Sequence, residues 1–462
     1  MKIAICASEV VPFAKTGGLA DVSGALSLAL AKAGQEVIVV MPFYKDIDRK
    51  KFNIHKLSPD ISYCTIAGSL KVYFIENQQY FFRTGLYQDS QGDYKDNLER
   101  FAYYCRRALY LLKEIRFQPD IIHVHDWQAC LIPVYLKALY SGDKFYKDTR
   151  TVLTVHNIGY QGIFPKEGFL KLGLDWNFFD IEGLEFYGNI NILKGGIVFS
   201  DLINTVSPTY SREIRTKEFG FGLEGILNKR RSYLSGILNG LDYDIWDPKK
   251  DRFIAANFSI MNIKDKSVNK SDLQRACNLP VREDLPLLGV VSRLAQQKGF
   301  DIISEAMKEI CALKVQIVVL GMGEIRYTQM FKEAAKRYPN TISFHSKFDD
   351  PLAHKIYAGA DIFLMPSRYE PCGLGQLIAL RYGTIPVVFK TGGLADTVEP
   401  STGFIFDSYS STDLVKAVTT AVKTFASKKK WYSLVLQAMK RDFSWQVSTG
   451  EYLKLYEKAR LK

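Results

Sequence analysis

An α/β protein with two doubly wound parallel sheets facing each other across a cleft is what this sequence predicts, on three observations. Short apolar, β-rich runs alternate with helical patterns twice over. The alternation lapses once, in a polar stretch rich in Lys, Asn and Ser that runs to about Ser271. One octapeptide also occurs in each half, Lys15-Thr-Gly-Gly-Leu-Ala-Asp-Val22 and Lys390-Thr-Gly-Gly-Leu-Ala-Asp-Thr397. At 462 residues the chain exceeds one ordinary core, which favours two domains.

Lys2 to Cys6 reads as a strand, Leu19 to Ala33 as a helix stopped by Gly34, and Glu36 to Met41 as the next strand. Further strands are predicted at Asp120–Val124, Thr151–Val155 and Leu202–Val206. This places a first domain at residues 1–242 and a junction at 243–271, where periodicity fails. The second domain, 272–442, restarts with runs at Pro286–Val291, Val315–Leu320, Thr341–Phe344, Asp361–Met365 and Ile385–Val388. Ligands of such sheets bind outside the carboxyl ends of the strands. Both glycine pairs are predicted there, at strand-to-helix turns whose N–H groups and helix dipole suit an anion.

Composition narrows the partners. Hydrophobic residues at 47% and charged ones at 24% exclude a disordered chain. A net charge of +12 favours an anionic ligand. Lys and Arg are dispersed and no nucleic-acid motif is present, so nucleic acid is not the expected partner. Seven cysteines without a Cys-x-x-Cys pair point to a reduced, cytoplasmic setting. No apolar run is long enough to span a bilayer, so no membrane partner is expected.

Several stretches carry candidate chemistry, each beside a plainer reading. Glu370, in Glu370-Pro-Cys-Gly-Leu-Gly375, either caps the helix that follows or contacts a ligand that Gly373 and Gly375 admit to the backbone. Arg293 and Lys298 follow the first strand of the second domain and suit a diphosphate, or are solvated surface charges. His156 lies beside glycines, where it hydrogen-bonds a polar substrate or serves structure alone. His123 and His125 share a strand face but lack a third ligand at recognisable spacing, so no metal is expected. Gly321-Met-Gly323 lacks the third glycine of a dinucleotide fingerprint, and no Walker A sequence exists. Cys372 has no base nearby in sequence and reads as packing.

Taken together, Lys15 to Asp21, His125-Asp-Trp127, Thr154-Val-His-Asn157, Thr205 to Tyr210, Asn239-Gly-Leu-Asp242, Val291 to Gly299, Glu370 to Leu374 and Thr391 to Asp396 resemble one family. It is that of the bacterial glycogen synthases and plant starch synthases, retaining glucosyltransferases that use a nucleoside-diphosphate glucose. The resemblance spans nearly the whole chain. It implies two Rossmann-like domains, the GT-B architecture, with residues 443–462 crossing back as a helix to the first.

Carried over by position, the resemblance implies that Lys15, Arg293 and Lys298 hold the diphosphate and that Glu370 supports the charge developing on the donor glucose. His156 would contact the glucose. Gly17, Gly18, Asp21, Asn239, Cys372, Gly373, Leu374 and Gly375 would line the donor site, and Asp126, Trp127 and Asn157 the cleft or acceptor side. Gly375 stands where the family usually has Thr, which removes a hydroxyl that could meet the phosphate, and Gln128 stands where His is frequent. The implied reaction moves glucose from ADP-glucose to the non-reducing end of glycogen or another α-1,4-glucan, with no cofactor. A UDP-glucose donor, a small acceptor and a non-catalytic sugar-nucleotide-binding protein are the alternatives.

Overall fold

Strand β1 (Lys2–Cys6) buries four of its five residues, as a strand covered on both faces must. In the computed structural model, which describes residues 1–462, it lies at the centre of a nine-stranded sheet. Helix α1 (Gly18–Lys32) leads to β2 (Glu36–Pro42), parallel to β1. The chain then forms β3 (His55–Ser58), β4 (Ile61–Ile66) and β5 (Leu70–Ile75), of which β5 is parallel to β2 and the other two pair antiparallel. Helix α2 (Asn97–Glu114) precedes β6 (Ile121–His125), β7 (Arg150–Val155), β8 (Leu202–Thr205) and β9 (Leu234–Gly236). The sheet order is β9-β8-β7-β6-β1-β2-β5-β4-β3. The parallel core of the sheet agrees with the predicted class, and the antiparallel edge is an addition to it. That edge suits its place, since β3 is exposed and carries His55 and Lys56, which discourage pairing with another chain.

The first compact unit comprises Met1–Gly240 together with Trp445–Lys462. Its last helix, Trp445–Arg460, buries Trp445, Tyr452, Leu455 and Tyr456. The Tyr456 hydroxyl bonds His123 Nδ1 at 2.8 Å, and Thr154 Oγ1 meets the other ring nitrogen at 2.7 Å. Asn204 Nδ2 donates to the Tyr452 hydroxyl at 3.2 Å. His123 is thus a satisfied interior residue.

The second unit is Leu241–Ser444. Its strands are β10 (Leu287–Val291), β11 (Gln316–Leu320), β12 (Ile342–His345), β13 (Ile362–Met365), β14 (Ile385–Phe389) and β15 (Phe404–Phe406), all parallel, in the order β12-β11-β10-β13-β14-β15. Helices α3 (Phe300–Ala312), α4 (Asp350–Gly359), α5 (Gly375–Arg381) and α6 (Gly392–Thr397) follow β10, β12, β13 and β14. Residues 243–271, expected as a junction, belong to this unit. Asp251 accepts hydrogen bonds from His354 Nδ1 at 2.7 Å and the Tyr382 hydroxyl at 2.6 Å, and Trp246 stacks on His354 with ring centroids 4.0 Å apart. The stretch has little regular structure because side chains rather than a ladder tie it down. All seven cysteines are free, and no helix is long and apolar enough to cross a membrane.

Candidate active site

Sheet topology selects the loops that matter. In each unit the strand order reverses beside the first strand, between β1 and β6 and again between β10 and β13, and the loops leaving those strands flank a natural ligand crevice. The loop after β1 carries Lys15, and β6 ends at His125, with Asp126 next. The loop after β10 carries Arg293 and Lys298, and the loop after β13 carries Glu370.

In the first unit the glycine pair does not follow the strand directly. Residues 7–16 intervene, folded on an isolated bridge between Val10 and Ala14. Glu9 organises this loop from an almost fully buried position. Its carboxylate accepts the Thr16 amide N–H, the Thr16 hydroxyl at 2.7 Å, the Gly17 N–H at 3.3 Å and the Tyr87 hydroxyl at 2.6 Å. The Thr16 and Gly17 amides, expected to receive an external anion, are therefore taken by an internal one. A Cβ built on Gly17 or Gly18 would meet nothing within 4 Å, and α1 has no side-chain cap. Lys15 Nζ bonds Asp21 Oδ1 at 2.8 Å in a solvent-facing pair.

Asp126, just after β6, is in a left-handed conformation, φ 53°, with Oδ1 accepting the His156 backbone N–H at 2.7 Å. Burial pushes its carboxyl up to about 7, against the pull of the His156 and Asn157 amides and with help from the Glu9 charge. His156, partly buried, shares a 2.9 Å hydrogen bond between its Nε2 and His125 Nδ1. Burial pushes His156 down to about 3 and His125 well below its ordinary range. A ring-to-ring bond of this kind needs one donor and one acceptor, so it suits two neutral imidazoles. Asn157 Oδ1 accepts the Gly159 N–H at 3.0 Å, and the Oδ1 of buried Asn239 has no partner. Trp127, expected on the cleft or acceptor side, is largely buried. It packs on Phe101 and Phe164, and a Cβ at Gly162 would come within 2.4 Å of its ring. Gln128 is buried beside it.

In the second unit, Lys298 sits on the short turn Gln296–Lys298 and its Nζ donates to Glu370 Oε2 at 2.6 Å. Ser367 Oγ donates to the same oxygen at 3.0 Å. The two loops are also stitched through backbone, Arg368 N–H to Gln297 O at 2.9 Å and Gln297 Nε2 to Tyr369 O at 3.2 Å. Arg293 is exposed. Glu370 does not cap the following helix, since α5 begins at Gly375 with Leu374 as an N-cap that makes no side-chain bond. Gly373, at φ 76°, lies against Gln376, whose Nε2 donates to the carbonyls of Cys372 and Gly373 at 2.9 and 3.0 Å. Cys372 is buried. At Gly375 a Cβ would point at the Phe363 ring, 3.1 Å away, and the Tyr357 hydroxyl, 3.3 Å away. A Cβ here would be tight against both, so glycine relieves crowding at the start of α5.

The second glycine pair is crowded where the first is open. A Cβ on Gly392 would lie 2.0 Å from the Glu370 carbonyl oxygen, and one on Gly393 would lie 2.1 Å from that of Cys372. This pair buttresses the Glu370 loop. Lys390 points away into an exposed pair with Asp407 at 3.0 Å. Glu9, Tyr87 and the buttress were not read from sequence. A glutamate just ahead of a glycine pair was the available signal for the first.

Comparison with known proteins identifies the family. The starch synthase catalytic domain family matches residues 2–229, and the family described as glycosyl transferases group 1 matches residues 277–434. The chain is 46% identical to a glycogen synthase of Geotalea daltonii, covering 99% of this chain and 98% of that one. It is 47% identical to a glycogen synthase of Thermosipho melanesiensis, covering both chains in full. Among solved structures, the catalytic domain of starch synthase IV from Arabidopsis thaliana, bound to ADP and acarbose, superposes with a TM-score of 0.91 at 33% identity, over 100% of this chain and 99% of that one. A sucrose-phosphate synthase from Thermosynechococcus elongatus shares the fold, with a TM-score of 0.62 at 17% identity over 99% of this chain and 98% of that one. The chain belongs to the glycogen synthase and starch synthase family of GT-B glycosyltransferases.

Proposed function

We propose that the protein transfers glucose from ADP-glucose to the non-reducing end of glycogen or another α-1,4-glucan, with retention of configuration and release of ADP, in the cytoplasm. The observation that carries the catalytic part is the Lys298–Glu370 pair, its carboxylate buried, at the strand-order reversal of the second sheet. Breaking a glucose–phosphate bond places positive charge on the sugar and negative charge on the diphosphate, and fixed groups of opposite sign lower that barrier. Glu370 makes both of its side-chain bonds through Oε2, which leaves Oε1 to face the sugar. Lys298 and Arg293 act on the diphosphate, Lys15 adds a third cation, and Asp21 keeps Lys15 in place until the donor arrives.

His156 acts as a neutral hydrogen-bonding partner of the glucose, a role supported by its depressed basicity. Asp126 fixes its backbone. Gly17, Gly18, Asn239 and the Cys372–Gly375 loop line the donor, while Asn157 serves the acceptor side. The ADP in the Arabidopsis structure supports adenine as the base. Nucleotide release from ADP-glucose and from UDP-glucose, each with glycogen present, tests the reading. Faster release from UDP-glucose, or release only with a small acceptor, would replace it.

A further inference from the structure

Two surface turns of the first unit carry an aromatic residue where turn geometry calls for something else. Tyr187 and Gly188 join the strands Glu185–Phe186 and Asn189–Asn191, with Phe186 paired to Asn189. Their φ values are 50° and 79°, so both central residues are left-handed, a geometry that selects Asn-Gly or Gly-Gly. Tyr187 is nonetheless present, 81% exposed. Phe221 and Gly222 repeat the pattern with φ 52° and 86°, and Phe221 is 47% exposed.

The two turns are neighbours. A Cβ on Gly222 would lie 2.8 Å from Phe186 Cζ and 3.7 Å from Tyr187 Cε2. Buried Gln161 fixes the arrangement, donating from Nε2 to the carbonyl oxygens of Ile158 and Phe221, each at 3.1 Å, and accepting from Asn191 Nδ2 at 2.6 Å. The third ring is that of Tyr160, 59% exposed, at the end of the turn that begins at Asn157. Gly159 connects the two, since a Cβ there would touch the Phe221 ring at 3.8 Å.

A bulky ring on left-handed backbone is disfavoured, and although Tyr187 packs edge-on against Phe186 with ring centroids 4.7 Å apart, most of it remains exposed. We propose that Tyr160, Tyr187 and Phe221 form an aromatic rim that seats a glucan chain beside the His156–Asn157 loop. The inference rests on the acceptor assigned above. One face of a glucose ring presents C–H groups that the negative face of an aromatic ring attracts. The Tyr160 and Tyr187 hydroxyls provide polar partners at the edges, and all three rings are exposed. The rim lies next to the residues assigned to the reacting sugar, which is why a glucan is its occupant.

The test is the double variant Tyr187→Asn with Phe221→Asn, because asparagine suits both turns and removes both rings. Glycogen retardation in a native gel, without donor, is expected to weaken by at least about fivefold for each ring lost. The KM for ADP-glucose should stay within about twofold and Tm should not fall. Unchanged retardation, or a parent protein that ignores glycogen, would overturn the rim. So would light scattering that shows the parent dimeric and the variant monomeric, since a second copy would then be the occupant. If the parent is retarded and the variant is not, yet no nucleotide is released from either donor, the rim stands and the catalytic reading fails.

Discussion

The amide N–H of Gly393 donates to the carbonyl oxygen of Glu370 at 3.0 Å, and beside it Gly392 has room for no side chain at all. The octapeptide that recurs in this chain is thus used in two ways. Its second copy presses backbone against the loop that bears the candidate catalytic carboxylate, and its first copy leaves open space above the start of α1.

Gly393→Ala is accordingly expected to cost about 1–3 kcal/mol of stability by overpacking and to lower kcat more than about tenfold by shifting Glu370. Gly18→Ala, with no neighbour to strike, should change stability by less than about 1 kcal/mol. Thermal unfolding and steady-state kinetics on the pair check both. Equal losses would show that crowding is not what distinguishes the two copies.

Glu370→Gln is expected to keep donor binding within about tenfold and to lower kcat at least about a hundredfold, because the lost charge matters most as the sugar becomes cationic. Donor titration alongside turnover separates the two effects. Near-normal kcat would remove Glu370 from the chemistry.

Lys15→Ala should cost about 2 kcal/mol or more in kcat/KM, as the loss of a charge-assisted phosphate contact. Lys390→Ala should cost under about 1 kcal/mol, since its exposed partner Asp407 makes an ordinary surface pair. The two are to be assayed with the same donor and glycogen, and similar losses would contradict the asymmetry.

Stability should depend on pH through Asp126. Its folded value of about 7 lies above its ordinary 3.8, so it contributes stability that is complete below 3.8 and lost as pH rises through about 7. The shift corresponds to at most about 4 kcal/mol. His123 and His156 work in the opposite sense. Both are pushed from 6.5 to about 3, so their contribution is present above 6.5 and lost as the pH falls toward 3. In Asp126→Asn the decline between pH 4 and about 7 should vanish while the acid-side loss remains. Denaturant melts across that range measure it, and a variant with the parental profile would refute the assignment.

The parallel strands were legible because a strand buried on both faces must be an unbroken apolar run, and β1, β2 and β10 are such runs. The β3–β5 edge was missed because β3 is short and exposed, with Leu57 its one apolar residue, and β4 mixes buried Ser62 with exposed Thr65, so neither period stands out. Arg293, Lys298 and Glu370 could be picked out as charges beside glycines at strand ends. That Lys298 spends its charge on Glu370 could not, because 72 positions separate them and only the adjacency of β10 and β13 joins their loops. The surroundings of a side chain at Gly375 were hidden for a related reason. A residue type says nothing about which way its Cβ would point, and here it points inward.

The helix Trp445–Arg460 completes a sheet whose strands were all made more than two hundred residues earlier, since β9 ends at Gly236. During synthesis His123 and Asn204 therefore wait for Tyr456 and Tyr452 until the entire second unit has left the ribosome. The contiguous unit, Leu241–Ser444, has no such wait. Order of completion is thereby reversed relative to order of translation: the half made later is whole once Ser444 emerges, whereas the half made first lacks its last helix until Trp445–Arg460 follows.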